Sequence, residues 1–191
     1  MKIIVYCASS SKLKPEYYET ARELGRLIAR RGHTLVNGAG KMGLMGASTD
    51  GCLEEGGKAI GVIPQFMIDE GWAHRGMTEL VVTKDMSERK TTLMKMADAI
   101  VVLPGGFGTL DELFEAATLK QLGIFLKPLV VLNANGFYDH LLEHIDHAMD
   151  EWMLLPAHKE AISVAKTPEE ALDQCENTED WSAEIRKIAK I

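Results

Sequence analysis

Short continuous apolar runs alternate along this chain with longer stretches in which apolar residues recur every three or four positions. The runs at 2–7, 34–37, 59–63, 80–83, 99–103, 128–132 and 161–165 are mostly Val, Ile, Leu and Ala, the pattern of strands buried on both faces. Between them, 16–31 carries Tyr17, Ala21, Leu24 and Ile28 at helical spacing with polar residues opposite. Pro15 suits its first turn and Gly32 its stop. The stretches 44–55, 87–97, 109–122 and 137–151 read as further helices. Thr167-Pro168-Glu169-Glu170 opens a terminal one with a capping hydroxyl, a first-turn proline and two acids. This repetition predicts an α/β fold: one Rossmann-like domain over residues 1–191, a parallel sheet with helices on both faces. The segment 64–76 has little periodicity and holds Trp72, His74 and Arg75; it reads as a long loop, either beside a site or an ordinary surface excursion.

Two glycine-rich turns follow predicted strands. The first is Pro104-Gly105-Gly106-Phe107-Gly108-Thr109-Leu110-Asp111-Glu112, leading straight into a helix. Glycines let a backbone approach a ligand, and the first N–H groups of a helix lack intrahelical partners, so an anion fits there. Thr109 either caps this helix or gives its hydroxyl to a phosphate oxygen. The second turn, Asn37-Gly38-Ala39-Gly40-Lys41-Met42-Gly43-Leu44-Met45-Gly46, has the glycine spacing of a dinucleotide fingerprint. It follows the second strand rather than the first, and no acidic residue ends the next strand to clamp a ribose, which argues against a dehydrogenase. It reads as a second wall of a mononucleotide pocket, or as a turn packed on the neighbouring loop. Ser9, in the loop after the first strand, lies at the same carboxyl edge, so the three loops could converge.

Composition narrows the partners. The 191 residues suit one domain with a real core, and 46% hydrophobic against 26% charged is an ordinary globular balance. A net charge of −7 makes nucleic acid a poor partner, while a local pocket can still hold a nucleotide. Three scattered cysteines, an odd number, suggest reduced thiols in a cytoplasmic protein rather than a disulfide framework. No stretch has the length of a membrane span, and the apolar N-terminal run is too short for a signal peptide.

The motif Pro104-Gly105-Gly106-x-Gly108-Thr109-x-x-Glu112, with Arg89-Lys90 upstream, resembles the Lonely Guy family of phosphoribohydrolases, once labelled lysine decarboxylases. The similarity extends to Cys7-Ala8-Ser9-Ser10, Gly43-Leu44-Met45-Gly46, Gly61-Val62-Ile63-Pro64, Gln121-Leu122-Gly123 and Asn135-Gly136-Phe137-Tyr138. The resemblance implies a Rossmann-like fold, a homodimer, no cofactor, and release of free base and ribose 5-phosphate from AMP or cytokinin riboside 5'-monophosphates. It implies catalytic roles for Arg89 and Glu112, and ligand contacts at Glu79, Lys90, the loop from Gly106 to Glu112 (with Gly105 before it) and Thr118. No lysine stands as an obvious Schiff-base partner, so nothing supports a pyridoxal site. Ser87 stands where the family often has histidine, Ala39 interrupts its usual glycine triplet, and Phe107 replaces a tyrosine common in plant members; these departures leave the preferred base open.

The chemistry is consistent with this pattern. Cleaving a glycosidic bond builds positive charge on the sugar, which a carboxylate stabilises. Glu112 falls a short way into the helix whose start would hold the phosphate, about one ribose away. Asp111 points about 100° aside and so makes no paired-carboxylate site with it, while Glu115 shares its face. Arg89 offers a planar fork to phosphate or ribose, and Glu79, at a strand start, could accept from ribose hydroxyls or base. Two competing readings remain. A nucleotide or cofactor carrier of the same fold would need the phosphate loop but not that carboxylate. His140-Leu141-Leu142-Glu143-His144, with His147 beyond, matches an inverted zinc-protease pattern; a solvated helix face is the simpler reading, and no metal is expected.

Overall fold

The computed structural model describes residues 1–187. Its frame is one seven-stranded parallel sheet: β1 (Lys2–Tyr6), β2 (Thr34–Asn37), β3 (Lys58–Pro64), β4 (Glu79–Thr83), β5 (Ala99–Val102), β6 (Leu129–Leu132) and β7 (Ser163–Ala165), in the order β4-β3-β2-β1-β5-β6-β7. Alternation within the strands builds two cores. In β1, Ile3 and Val5 face one side and Ile4 and Tyr6 the other. The first side is covered by α1 (Pro15–Arg30), α2 (Gly43–Glu54) and α7 (Pro168–Asn177), through residues such as Leu24, Ile28, Leu44, Cys52 and Leu172. The second is covered by α4 (Met86–Met96), α5 (Phe107–Gln121) and α6 (Asp139–Asp150), through Leu93, Leu113 and Ala116, with Leu141 and Leu142 of α6 packed alongside.

All seven expected strands form, with ends that differ from the expected ones by no more than two residues. The segment 64–76 is not all loop: Gln65–Asp69 makes a short helix, α3, that buries none of its residues. Too short for two turns and lacking a buried face, it carries no periodic signal. The terminal helix starts as expected, with the Thr167 hydroxyl accepting from Glu170 N–H at 3.2 Å. The start of α5 differs: its N-cap is Gly106 and helical geometry begins at Phe107, two residues before Thr109. Thr109 is therefore not the cap. It is buried in the first turn beside Gly105.

Strand order decides where a ligand can sit. From β1 the chain steps to β2, β3 and β4 on one side, then returns through β5 to β6 and β7 on the other. The loops leaving the carboxyl ends of β1 and β5 thus part in opposite directions and open a crevice, the usual ligand position in such sheets. Main-chain hydrogen bonds hold its rim. Ala8 N–H donates to Pro104 O at 3.0 Å, Leu103 N–H to Tyr6 O at 2.9 Å, and Leu44 N–H to Ala8 O at 2.9 Å. The three loops picked from the sequence do converge here.

Candidate active site

A cleft of about 590 Å³ occupies this crevice. One wall is the start of α5. Leu110 N–H is the first to find an acceptor inside the helix, Gly106 O at 2.9 Å, so the N–H groups of Phe107, Gly108 and Thr109 have no intrahelical acceptor. A Cβ placed on Gly106 or Gly108 would meet nothing within 4 Å, and Phe107 is 94% exposed. The helix dipole makes this open cradle attractive to a phosphate.

Glu112 lines the same cleft farther along α5. Burial pushes its carboxyl up to about 7; Arg89 and Lys90 oppose that rise, and Asp111 and Glu115 add to it. Arg89, from α4, is 6% exposed. Its Nε donates to Val62 O at 3.0 Å and its Nη2 to Gly38 O at 3.1 Å, while Nη1 lies 3.7 Å from Met86 Sδ. Burial lowers the guanidinium, and the nearby Glu112 charge opposes this. Much of the arginine fork is thus engaged by the main chain of β3 and of the turn after β2, so its positive charge is fixed in place beside Glu112. Lys90, the next residue, leans to α5 instead: its Nζ lies 2.9 Å from Asp111 Oδ2 and 3.3 Å from Glu115 Oε2. Glu115 is therefore the lysine's partner, and Asp111 joins the cleft lining at its exposed edge.

Two groups beside this pair escaped the sequence reading. Tyr6, the last residue of β1, is buried, and its phenol is pushed up by burial and then by Glu112 and Glu115. Cys7, which lines the cleft, is held as a neutral thiol by burial and by Glu112. Their sequence signals were their place at the carboxyl end of the central strand and, for Cys7, its position at the head of the Cys7-Ala8-Ser9-Ser10 motif.

The glycine turn after β2 divides its roles. Gly40, Lys41 and Met42 do line the cleft. Gly38, however, leaves room for protein: a Cβ there would lie 1.6 Å from Arg89 Nη2. Gly43 has φ +63° and lies against the main chain of Ala8, Ser9 and Ser10, so it lets α2 start flush against the first loop.

Of the expected ligand contacts, Ser9, Lys90, Gly106, Gly108 and Thr109 line the cleft, and Gly105 sits behind it against the Thr109 side chain. Two do not arrive. Glu79 is the first residue of the edge strand β4 and is exposed; in a parallel sheet that is the opposite end from the cleft. Thr118 lies about two turns beyond Glu112, on a separate apolar groove of about 390 Å³ between α5 and α6, lined also by Phe114, Leu142 and Ile145. The histidines of α6 make no such site: His140 bonds to Glu143 of its own helix at 3.0 Å, and among the described residues no three potential metal ligands cluster.

Likeness to known proteins follows this geometry. A family model described as "Possible lysine decarboxylase" matches residues 45–175. A cytokinin riboside 5'-monophosphate phosphoribohydrolase of Arabidopsis thaliana is 39% identical, over 96% of this chain and 85% of its own. One from Rhodococcoides fascians is 40% identical, over 89% and 86%. Among solved structures, a molybdenum cofactor binding protein of Rippkaea orientalis superposes with a TM-score of 0.69 at 22% identity, over 90% of this chain and 93% of that one, a likeness of fold alone. Sequence identity of this extent over nearly the whole chain settles the kinship: the chain belongs to the Lonely Guy family of phosphoribohydrolases.

Proposed function

We propose that the protein hydrolyses the N-glycosidic bond of purine nucleoside 5'-monophosphates, AMP or its N6-substituted cytokinin forms, releasing free base and ribose 5-phosphate. The observation that carries this reading is the meeting, in one cleft, of main-chain N–H groups with no intrahelical acceptor and a carboxyl poised near neutrality. The 5'-phosphate rests on the N–H groups of Phe107, Gly108 and Thr109. That places the ribose along α5 toward Glu112. As the bond from C1' to the base breaks, positive charge develops on the sugar, and ionised Glu112 stabilises it. Water adds its oxygen to C1', and its proton ends on the departing base. Arg89 holds a fixed positive charge that favours the ionised form of Glu112. Lys90 adds attraction for the phosphate at the rim.

The test is chromatographic detection of free base after incubation with a panel of 5'-monophosphates and their matching nucleosides. Base release from the monophosphates and little from the nucleosides is the expected result. Equal release from both would remove the phosphate cradle from the mechanism.

The assembly belongs to the same proposal. Thr118 lies outside its own chain's cleft, so it reaches a ligand only if a second copy presents it. The face that carries it also exposes Phe114, Leu122 and Ile124, an apolar patch suited to a self-associating interface. Sedimentation should give a dimer, and Ile124→Asp should shift it toward monomer.

A further inference from the structure

His74 stands outside the cleft and is nevertheless tied to it. It belongs to the loop between α3 and β4, and its side chain is only 15% exposed. Its Nε2 lies 3.0 Å from Asp50 Oδ1 of α2. Its Nδ1 accepts from Gly76 N–H at 3.0 Å, so the ring is neutral and its one proton sits on Nε2, toward the carboxylate. Its main-chain N–H donates to Ala39 O at 2.8 Å. Asp50 in turn faces Arg22 of α1 at 3.4 Å, and that arginine also pairs with Glu54.

What this anchor holds is the conformation of the glycine turn. Ala39 has φ +58°, a left-handed conformation that a residue with a Cβ resists. Both peptide groups flanking it are pinned: its N–H donates to Asn37 Oδ1 at 2.8 Å, and its carbonyl accepts from His74. A peptide unit is planar and trans, so Gly38 O, in the same unit as Ala39 N–H, points the opposite way. There it accepts from Arg89 Nη2 at 3.1 Å. Lys41 N–H, donating to Trp72 O at 2.9 Å, and the antiparallel pairing of Gly40 with Ala73 extend the seam between loop and turn. The seam joins two pieces of irregular chain. His74 and Asp50 fasten it to a helix seated in the core.

Resting on the hydrolase reading above, we infer that His74 is a positioning residue: with Asp50 it holds the left-handed turn at Ala39 and, through Gly38 O, the Arg89 guanidinium beside Glu112. It acts without touching substrate. Its loss lets the turn relax, withdraws one of the two carbonyls that hold the arginine fork, and loosens the positive charge that serves the glutamate.

The experiment follows base release as kcat and KM against pH, with whichever of AMP and N6-isopentenyl-AMP the wild type cleaves faster. The proteins are wild type, His74→Ala, His74→Gln, Asp50→Ala and the double variant His74→Ala with Asp50→Ala. A group that places the arginine is felt in the transition state, so His74→Ala should lower kcat about tenfold with KM within about twofold of wild type. Glu112 is faced by Arg89 and Lys90, which favour its ionised form, and by Asp111 and Glu115, which oppose it. Loosening Arg89 tips that balance, so the midpoint of the rise in kcat/KM with pH should move up by about half a unit. His74→Gln, whose amide can also donate to Asp50, should recover most of both. Asp50→Ala should reproduce the loss with the histidine in place, and the double variant should lose no more than His74→Ala alone. A rise in KM at unchanged kcat, or a fall in kcat with the midpoint unmoved, would make His74 a support of its loop and overturn the assignment. So would losses that add in the double variant. Should His74→Ala fail to fold, Asp50→Ala decides by the same readings, and wild-type kinetics in that variant would overturn the assignment while leaving the hydrolase reading standing. Cleavage of neither nucleotide by the wild type would bring down both together.

Discussion

The chain has two glycine-rich turns between a strand and a helix, and they put the absence of a side chain to opposite uses. In the turn before α5, Gly106 and Gly108 face empty space, and the room they leave is available to a ligand. In the turn before α2, the room left by Gly38 is already filled by the Arg89 guanidinium, and that left by Gly43 by the first loop's main chain. Gly106 and Gly108 make an opening, whereas Gly38 and Gly43 serve packing. Spacing alone cannot separate them, because glycine is required wherever backbone must come close to anything, ligand or protein. What separates them is the partner, and for Gly38 the partner is 51 residues away in sequence.

The comparison breaks most decisively at the carboxylate served by the open turn. Glu112→Gln should lower kcat/KM by on the order of 10³-fold while still binding a 5'-monophosphate, measured by base release and by equilibrium binding. Full turnover by this variant would detach the chemistry from α5. The second test sets the two turns against each other. Gly38→Ala must displace Arg89 and should cost about 1–3 kcal/mol, with activity falling alongside. Gly108→Ala adds a methyl group to open space in a helical first turn, so its stability should stay within about 1 kcal/mol of wild type, yet its KM should rise about tenfold as the methyl intrudes on the phosphate. Chemical denaturation with parallel kinetics distinguishes the pair, and equal destabilisation by both substitutions would erase the distinction.

A third, smaller effect is on pH. Burial raises the Glu112 carboxyl from the usual carboxylate range to about 7, so between those values the folded protein holds a proton that the unfolded chain has lost. Stability from this group is therefore full below the unfolded pKa and falls as pH rises through about 7. Glu112→Gln, which stays neutral, should melt higher than wild type at pH 8, with the gap closing toward pH 4. The rate should move the opposite way: kcat/KM rises with pH through about 7 as the carboxylate ionises. A melting gap that widened on acidification would contradict the cause given for the shift. The smallest effect belongs to the rim. Lys90→Ala breaks ion pairs to Asp111 and Glu115 and should change stability by no more than about 1 kcal/mol, while KM for a monophosphate rises roughly threefold, an increase that added salt diminishes.

Much of this could be read from the sequence, for identifiable reasons. The strands announced themselves because both faces of the sheet are covered, which demands unbroken apolar runs such as Ile100-Val101-Val102. The open helix start and the glutamate beyond it were legible because the glycines, helix start and carboxylate are contiguous. The helix start itself was misplaced at Thr109, because a glycine N-cap followed by a fully exposed phenylalanine offers no capping side chain to read. Glu79 could have been set aside from sequence alone: it opens a strand, and ligands gather where strands end. Tyr6 and the lodging of Arg89 in the space beside Gly38 were out of reach, since each depends on residues brought together from distant segments. The segment around Trp72 has no pattern of its own and takes its position from the glycine turn it is sewn to.

The arginine bound to Val62 O and Gly38 O ties two sites of variation into one. A side chain at position 38 and a guanidinium at position 89 claim the same volume, so neither can change freely while the other persists. Among relatives of this chain, the two positions should drift as a couple: wherever the arginine is given up, the ban on a larger residue at 38 is lifted, and wherever a larger residue has entered, the positive charge beside the glutamate must come from elsewhere.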